Sequence, residues 1–198
     1  ANLQRSEGYL AEAQRLSLTG SFGWKVANGE IYWSQETFRI FGTNPTVKPT
    51  VELILQQTHP EDRAIVRQIV DRASRERKDF DFEHRLLMPD GSVKYVRVVG
   101  HPSIDKSSNF EFVGAVTDVT ERKQAEEEHQ AHLWFLESMD QVNRAIQGTN
   151  DLEKMMSDVL DAVLSIFGCD RAWLVYPCDP EAASWKVSME QTRPEFPG

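Results

Sequence analysis

The stretch FDFEHRLLMPDGSVKYVRVVGH, residues 80–101, reads as a β-hairpin, and the rest of the chain is ordered around it. Phe80, Phe82, His84 and Leu86 fall at every second position, the period at which a strand turns its side chains to one face. Pro89, Asp90 and Gly91 interrupt the alternation, and proline with glycine suits a tight hairpin that carries a bulge. Strands are therefore expected over residues 80–88 and 92–101. A third, over residues 111–119, follows a polar loop at 106–109.

Upstream of the hairpin, His59, Pro60, Glu61 and Asp62 mark the start of a helix that runs to about Arg77. Proline tolerates the first helical turn, and carboxylates there complement the helix dipole. Ile65, Val66, Ile69, Val70 and Ala73 are its expected buried side chains. Two short helical patches precede it, one at 35–41 with Phe38, Ile40 and Phe41, the other at 51–57 with Leu53, Ile54 and Leu55. Gly42, Pro45 and Pro49 separate them. Asn28-Gly29 is a strong turn signal between strands expected at 21–27 and 30–33. Residues 2–18 have a helical pattern with Leu3, Leu10, Ala13 and Leu16 or Ser17 near one stripe, and Gly20 is where a left-handed stop is expected. Two strands, then helices, then three strands indicate an α+β fold: a five-stranded antiparallel sheet with helices on one side.

Downstream of Thr120 the pattern is helical to about Gln147. Ala125, Glu128, His132, Phe135, Met139, Val142 and Ile146 alternate in spacing between three and four, a heptad seam that is apolar only in its second half. Gly148 interrupts it. Asn150 with Glu153 fits a capping arrangement that opens another amphipathic helix through Leu152, Met155, Met156, Val159, Val163 and Phe167. Strands are expected at 171–176 and 184–189. The domain plan is thus an amino-terminal helix (1–19), a sheet domain (20–120), a helical linker (121–147) and a second segment (148–198).

Charge supports that division. Residues 1–123 hold 17 Lys and Arg against 17 Asp and Glu, whereas residues 124–198 hold 5 against 14, so the whole net charge of -9 falls in the second part. Neither part has the cationic surplus that a phosphate backbone demands, so nucleic acid is not expected as a partner. No apolar run nears the ~20 residues of a membrane span, and charges at Arg5, Glu7, Glu12 and Arg15 break any signal peptide. The expected location is the cytosol, without membrane contact from these residues. Cys169 and Cys178 are too few for a disulfide framework and are read as reduced thiols.

Several strings, in this order, resemble the PAS family over roughly residues 5–125. They are Gly20-Ser21-Phe22-Gly23-Trp24 with Tyr32-Trp33-Ser34, then His59-Pro60-Glu61-Asp62-Arg63, then Phe82-Glu83-His84-Arg85 with Pro89-Asp90-Gly91-Ser92, and an exit string from Gly114 to Lys123. The resemblance implies a sensor or dimerisation module whose long final helix transmits a signal. It places Asp118 and Thr120 in the family's Asp-x-Thr exit motif, the carboxylate holding the strand end and the hydroxyl capping the departing helix. A plain helix cap would have the same geometry. Residues 132–198 resemble the beginning of a GAF domain, through the helix over 152–167 followed by Gly168-Cys169-Asp170-Arg171-Ala172-Trp173. Under half of such a domain is present, giving a truncated GAF-like α/β segment. PAS followed by GAF resembles the input region of bacterial sensor histidine kinases, and less often of cyclic-dinucleotide enzymes.

Candidate chemistry is sparse. Trp33, Phe38, Ile54, Ile69, Phe82 and His84 are the residues expected to line a ligand pocket, although aromatics with one polar group serve a core equally well. A hydrogen-bonded core histidine is the expected state of His84. The resemblance speaks against haem, since residues 61–77 lack histidine, and against covalent flavin, since the first 168 residues lack cysteine. The identity of any cofactor is left open. Cys169 and Cys178 lack the histidine neighbour of a bilin site. His129 and His132 have no third ligand for a metal. No catalytic triad, phosphate loop or acid pair is found, so no enzyme activity is expected of these residues. A homodimer is expected through the helices, with Phe135, Met139, Val142 and Ile146 as its seam. The reading is a sensing and transmitting input module; the alternative is a ligand-free dimerisation scaffold.

Overall fold

A computed structural model describes residues 2–104, 110–177, 179 and 181–196. In its first unit, Ala1–Ala125, the strands in chain order are β1 (Thr19–Lys25), β2 (Glu30–Trp33), β3 (Phe80–Leu87), β4 (Val93–Ile104) and β5 (Phe110–Asp118). All pair antiparallel, side by side as β2-β1-β5-β4-β3. The sheet is closed in its middle by the last strand, which joins the opening hairpin to the second one. Helices α1 (Asn2–Leu16), α2 (Gln35–Phe41), α3 (Val51–Gln57) and α4 (Arg63–Glu76) complete the unit.

Alternation along the strands explains the core. The register opposes Phe82 to Val98 and His84 to Val96, and Val98 in turn to Val116. Ile40 and Phe41 of α2 pack on Leu86, Val96, Val98 and Val116. Ala73 of α4 joins Trp24, Ile31 and Phe112, and the rings of Trp24 and Phe112 stack at 5.5 Å. Each of the Val, Leu, Ile and Phe side chains among them contributes ~1.5–3 kcal/mol on burial. On α4 the buried or half-buried stripe is Val66, Ile69, Val70 and Ala73, at the helical period. Ile65 was expected with them but lies one residue off that stripe and is 52% exposed.

Several boundaries differ from the sequence expectation. Helix α1 stops at Leu16, and the left-handed residue is Leu18, at φ 50°, not Gly20. Gly20 is instead in β1, where a Cβ would collide with the backbone and hydroxyl of Thr37. Close approach of α2 to the strand, not a turn, requires that glycine. Strand β1 accordingly starts two residues early, and β4 runs on to Ile104. Helix α4 begins at Arg63, because the Asp62 carboxylate is drawn away to Arg85 and makes no cap bond. The expected polar loop at 106–109 and Cys178 lie outside the described residues.

Helix α5 (Thr120–Gln147) leaves the first unit without a break, and the second unit, Glu126–Gly198, comprises most of α5, helix α6 (Leu152–Phe167) and an antiparallel pair, β6 (Arg171–Tyr176) and β7 (Lys186–Thr192). The cap of α6 is Asp151, one residue after the expected Asn150: its Oδ1 accepts the N–H groups of Glu153 and Lys154 at 3.0 and 3.2 Å. Leu160 and Leu164 pack against Ala172 in a small core. Among the described residues no helix is long and apolar enough to cross a membrane.

Candidate functional site

Between the inner face of the sheet and helices α2, α3 and α4 lies a cavity of about 60 Å³. The sheet contributes Phe22, Trp24, Phe80 and Val98 to its wall, and the helices contribute Phe41, Val51, Val66 and Val70. Five of the six residues expected at a pocket, Trp33, Ile54, Ile69, Phe82 and His84, line it. Phe38 does not. The Trp33 ring stacks on Phe41 at 4.4 Å and meets Phe38 edge-on at 5.2 Å, so Phe38 sits behind Trp33. Phe22, Trp24 and Phe80 were missed, although the period-two alternation that assigned Phe82 and His84 inward also points to them.

Among the described residues, His84 is the one titratable group on this wall. It is 5% exposed, lies face to face with Phe82 at 5.3 Å, and neither ring nitrogen has a hydrogen-bond partner among the described residues. The expected hydrogen-bonded histidine is therefore corrected: the cavity residues around it present carbon. Burial pushes its pKa down to about 4, with the Asp62 charge opposing only in part. The ring is neutral at pH 7, holding one donor and one acceptor nitrogen.

The backbone beside His84 is firmly tied. Arg85 donates its backbone N–H and Nε to Oδ2 of Asp62, at 2.8 and 3.0 Å, and Nη2 to Oδ1 at 2.6 Å. Those bonds hold the Asp62 carboxyl down at about 2 despite some desolvation. The N–H of His59 donates to the Arg85 carbonyl at 2.8 Å, and Thr58 bridges to Leu86. The segment before α4 thus covers the outer edge of β3, which would otherwise be open.

At the far end of the sheet the chain leaves through a compact knot. Oδ1 of Asp118 accepts the backbone N–H of Thr120 at 3.0 Å and its hydroxyl at 2.6 Å. The same hydroxyl accepts the N–H of Tyr95 at 3.0 Å, and the Tyr95 carbonyl accepts the N–H of Val119 at 2.9 Å. Lys94 lies 3.6 Å from the other carboxylate oxygen. The carboxylate thus serves the start of α5 as well as facing β4 through Lys94, and the hydroxyl, which the motif implies as a cap, fastens the helix start to β4.

Farther along α5 no side chain is buried. Phe135, Met139 and Ile146 are 52, 43 and 43% exposed, and Val142 is half-buried. No group of three potential metal ligands occurs among the described residues.

Residues 30–117 match the family model of the PAS fold. The probable diguanylate cyclase DgcE of Escherichia coli is 25% identical over 109 residues, which are 54% of this chain and 10% of that protein. A blue-light-activated histidine kinase of Brucella anthropi is 32% identical over 123 residues, 62% of this chain and 25% of that protein. The chain therefore spans a quarter or less of the length of these curated relatives. A solved sensory box histidine kinase/response regulator from Burkholderia thailandensis superposes with a TM-score of 0.50 at 23% identity, covering 65% of this chain and 97% of that one, a likeness of fold.

Proposed function

Residues 30–117 form a PAS domain, and we propose that it works here as a sensing input module that passes a change in its core out through α5 to an output domain, a histidine kinase in the first instance. One observation carries this reading. His84, on the cavity wall, is paired across the β3/β4 ladder with Val96, and the next residue, Tyr95, holds both Val119 and Thr120 at the start of α5. Displacement of the β3/β4 pair at His84 reaches the exit knot through a single residue of β4. Resemblance of the PAS part to stretches of a histidine kinase and a probable diguanylate cyclase supports a regulatory setting of this kind. The second unit is read as the beginning of a GAF-like domain, on the strength of α6 and the string Gly168 to Trp173. Two copies are proposed to pair along α5, since Phe135, Met139 and Ile146 each leave about half of their surface exposed.

The test is a fusion of residues 1–147 to a histidine kinase catalytic core. Asp118→Ala is expected to change autophosphorylation several-fold while the unfolding midpoint of the PAS domain moves little. Unchanged output from a folded variant overturns the transmission role. It would favour the second reading, a ligand-free scaffold that holds two output domains together, for which the half-exposed apolar run on α5 is the supporting observation.

A further inference from the structure

We infer that the cavity between the sheet and helices α3 and α4 binds an uncharged molecule of about two or three heavy atoms, apolar except for one hydrogen-bonding group that is held by His84. The inference rests on the sensing role proposed above and names the kind of signal.

Three features of the cavity fix the class. The first is size. A cavity of ~150 Å³ accepts benzene, or ~25 Å³ for each heavy atom, and on that scale about 60 Å³ admits two or three. Aromatic ring systems of cofactor size are outside this range. The second is polarity. Among the described residues no carboxylate, ammonium or guanidinium lines the wall, which is built from Trp33, Ile54, Ile69, Phe82, Val98 and comparable side chains. A charged ligand would be stripped of water with nothing to pair it. The third is His84 itself, whose two buried ring nitrogens have no partner among the described residues. Buried polar atoms are almost always satisfied, so this ring is the point at which a guest gains specificity. A neutral imidazole offers one donor and one acceptor, a combination that a hydroxyl group answers in both senses. Groups that could compete are already engaged: the Asp62 carboxylate with Arg85, and the Arg85 carbonyl with His59.

Ethanol serves as the probe of this chemistry and xenon as the probe of the bare cavity. In the chain labelled with ¹⁵N-histidine, ethanol is expected to shift the His84 ring nitrogens along a saturating curve. Xenon is expected to shift methyl signals of Ile54 and Ile69. In His84→Phe ethanol affinity should fall at least tenfold with xenon binding kept. Ile69→Phe, which fills the cavity from the helix side, should abolish both. A linear, non-saturating response of the ring nitrogens to ethanol overturns the proposal, as does equal ethanol affinity in His84→Phe. So does a ring that shows persistent contact with water and ignores ethanol. The wild-type titration stands alone if either variant fails to fold. Failure here with Asp118→Ala still altering kinase output would remove the ligand class and leave the transmission role intact. Binding with unaltered output would do the opposite.

Discussion

Thr120 donates its hydroxyl to Asp118 at 2.6 Å while accepting the backbone N–H of Tyr95, so one side chain joins the last strand, its neighbour β4 and the departing helix. Removing the carboxylate and removing the hydroxyl should therefore have different consequences.

Thr120→Val leaves the Tyr95 N–H without its acceptor and is expected to cost about 1–3 kcal/mol. Thr120→Ser keeps the hydroxyl and should cost under about 1 kcal/mol. Urea unfolding of residues 1–125 measures both. Equal losses would mean that the methyl group and not the hydrogen bonds secures the exit.

His84 predicts a specific acid sensitivity. Its folded pKa of about 4 lies below the ordinary 6.5, so between those values the unfolded chain takes up a proton that the folded chain refuses. Stability is complete above pH 6.5 and falls as the pH drops to about 4. The fall amounts to at most about 3 kcal/mol. In His84→Phe this part of the stability profile should be flat. An unchanged slope would place its origin in another group.

Asp62 acts at lower pH. Its folded pKa of about 2 lies below 3.8, so its contribution is present above 3.8 and is lost as the pH falls toward 2. The pair is near solvent, and screening reduces the effect to about 1–2 kcal/mol. Asp62→Asn should remove it at pH 7 and leave a shallower acid limb below pH 4. Guanidinium unfolding at pH 7, 4 and 2.5 decides this.

For the proposed dimer, Phe135→Glu with Met139→Glu should give a monomer by light scattering, with far-ultraviolet circular dichroism of the PAS sheet retained. Persistence of the dimer would move the interface away from this run, with exposed Tyr9, Leu10 and Leu16 on α1 the next place to test.

Hydrogen exchange should separate the two units. Among its described residues the second has only Leu160, Leu164 and Ala172 in its buried apolar core, while Trp173, Trp185 and Val187 are exposed. A helix with so little packing is marginal in water. Amides of α6 are expected to exchange at least tenfold faster than those of β3 under conditions where the chain is monomeric. Equal protection would mean that the second unit folds independently and completely.

Strand alternation, the Pro89-Asp90-Gly91 turn and the stripe from Val66 to Ala73 were enough to assign the five-stranded sheet and its helices from sequence, because each is a local consequence of the 2.0 and 3.6 residue periods. The inward side of β3 followed from the same alternation, and with it two of the cavity residues, Phe82 and His84. Contacts between distant segments were not legible. Gly20 carried a helix-stop signal, yet its role depends on Thr37 lying against it, which only the docking of α2 brings about. Asp62 stands at a helix entry as a carboxylate complementing the dipole, yet a guanidinium 23 residues away offered it stronger, charge-assisted bonds. Phe38 had the composition of a pocket residue, but the placement of the Trp33 ring put it behind the wall. The exit motif identified Asp118 and Thr120, while the role of the hydroxyl was decided by Tyr95 on β4, whose N–H reaches it only once β4 and β5 are in register. A chain's periodicity reports which face of an element is apolar; which polar group meets which is settled by the geometry of packed elements, where each donor takes the best acceptor within reach.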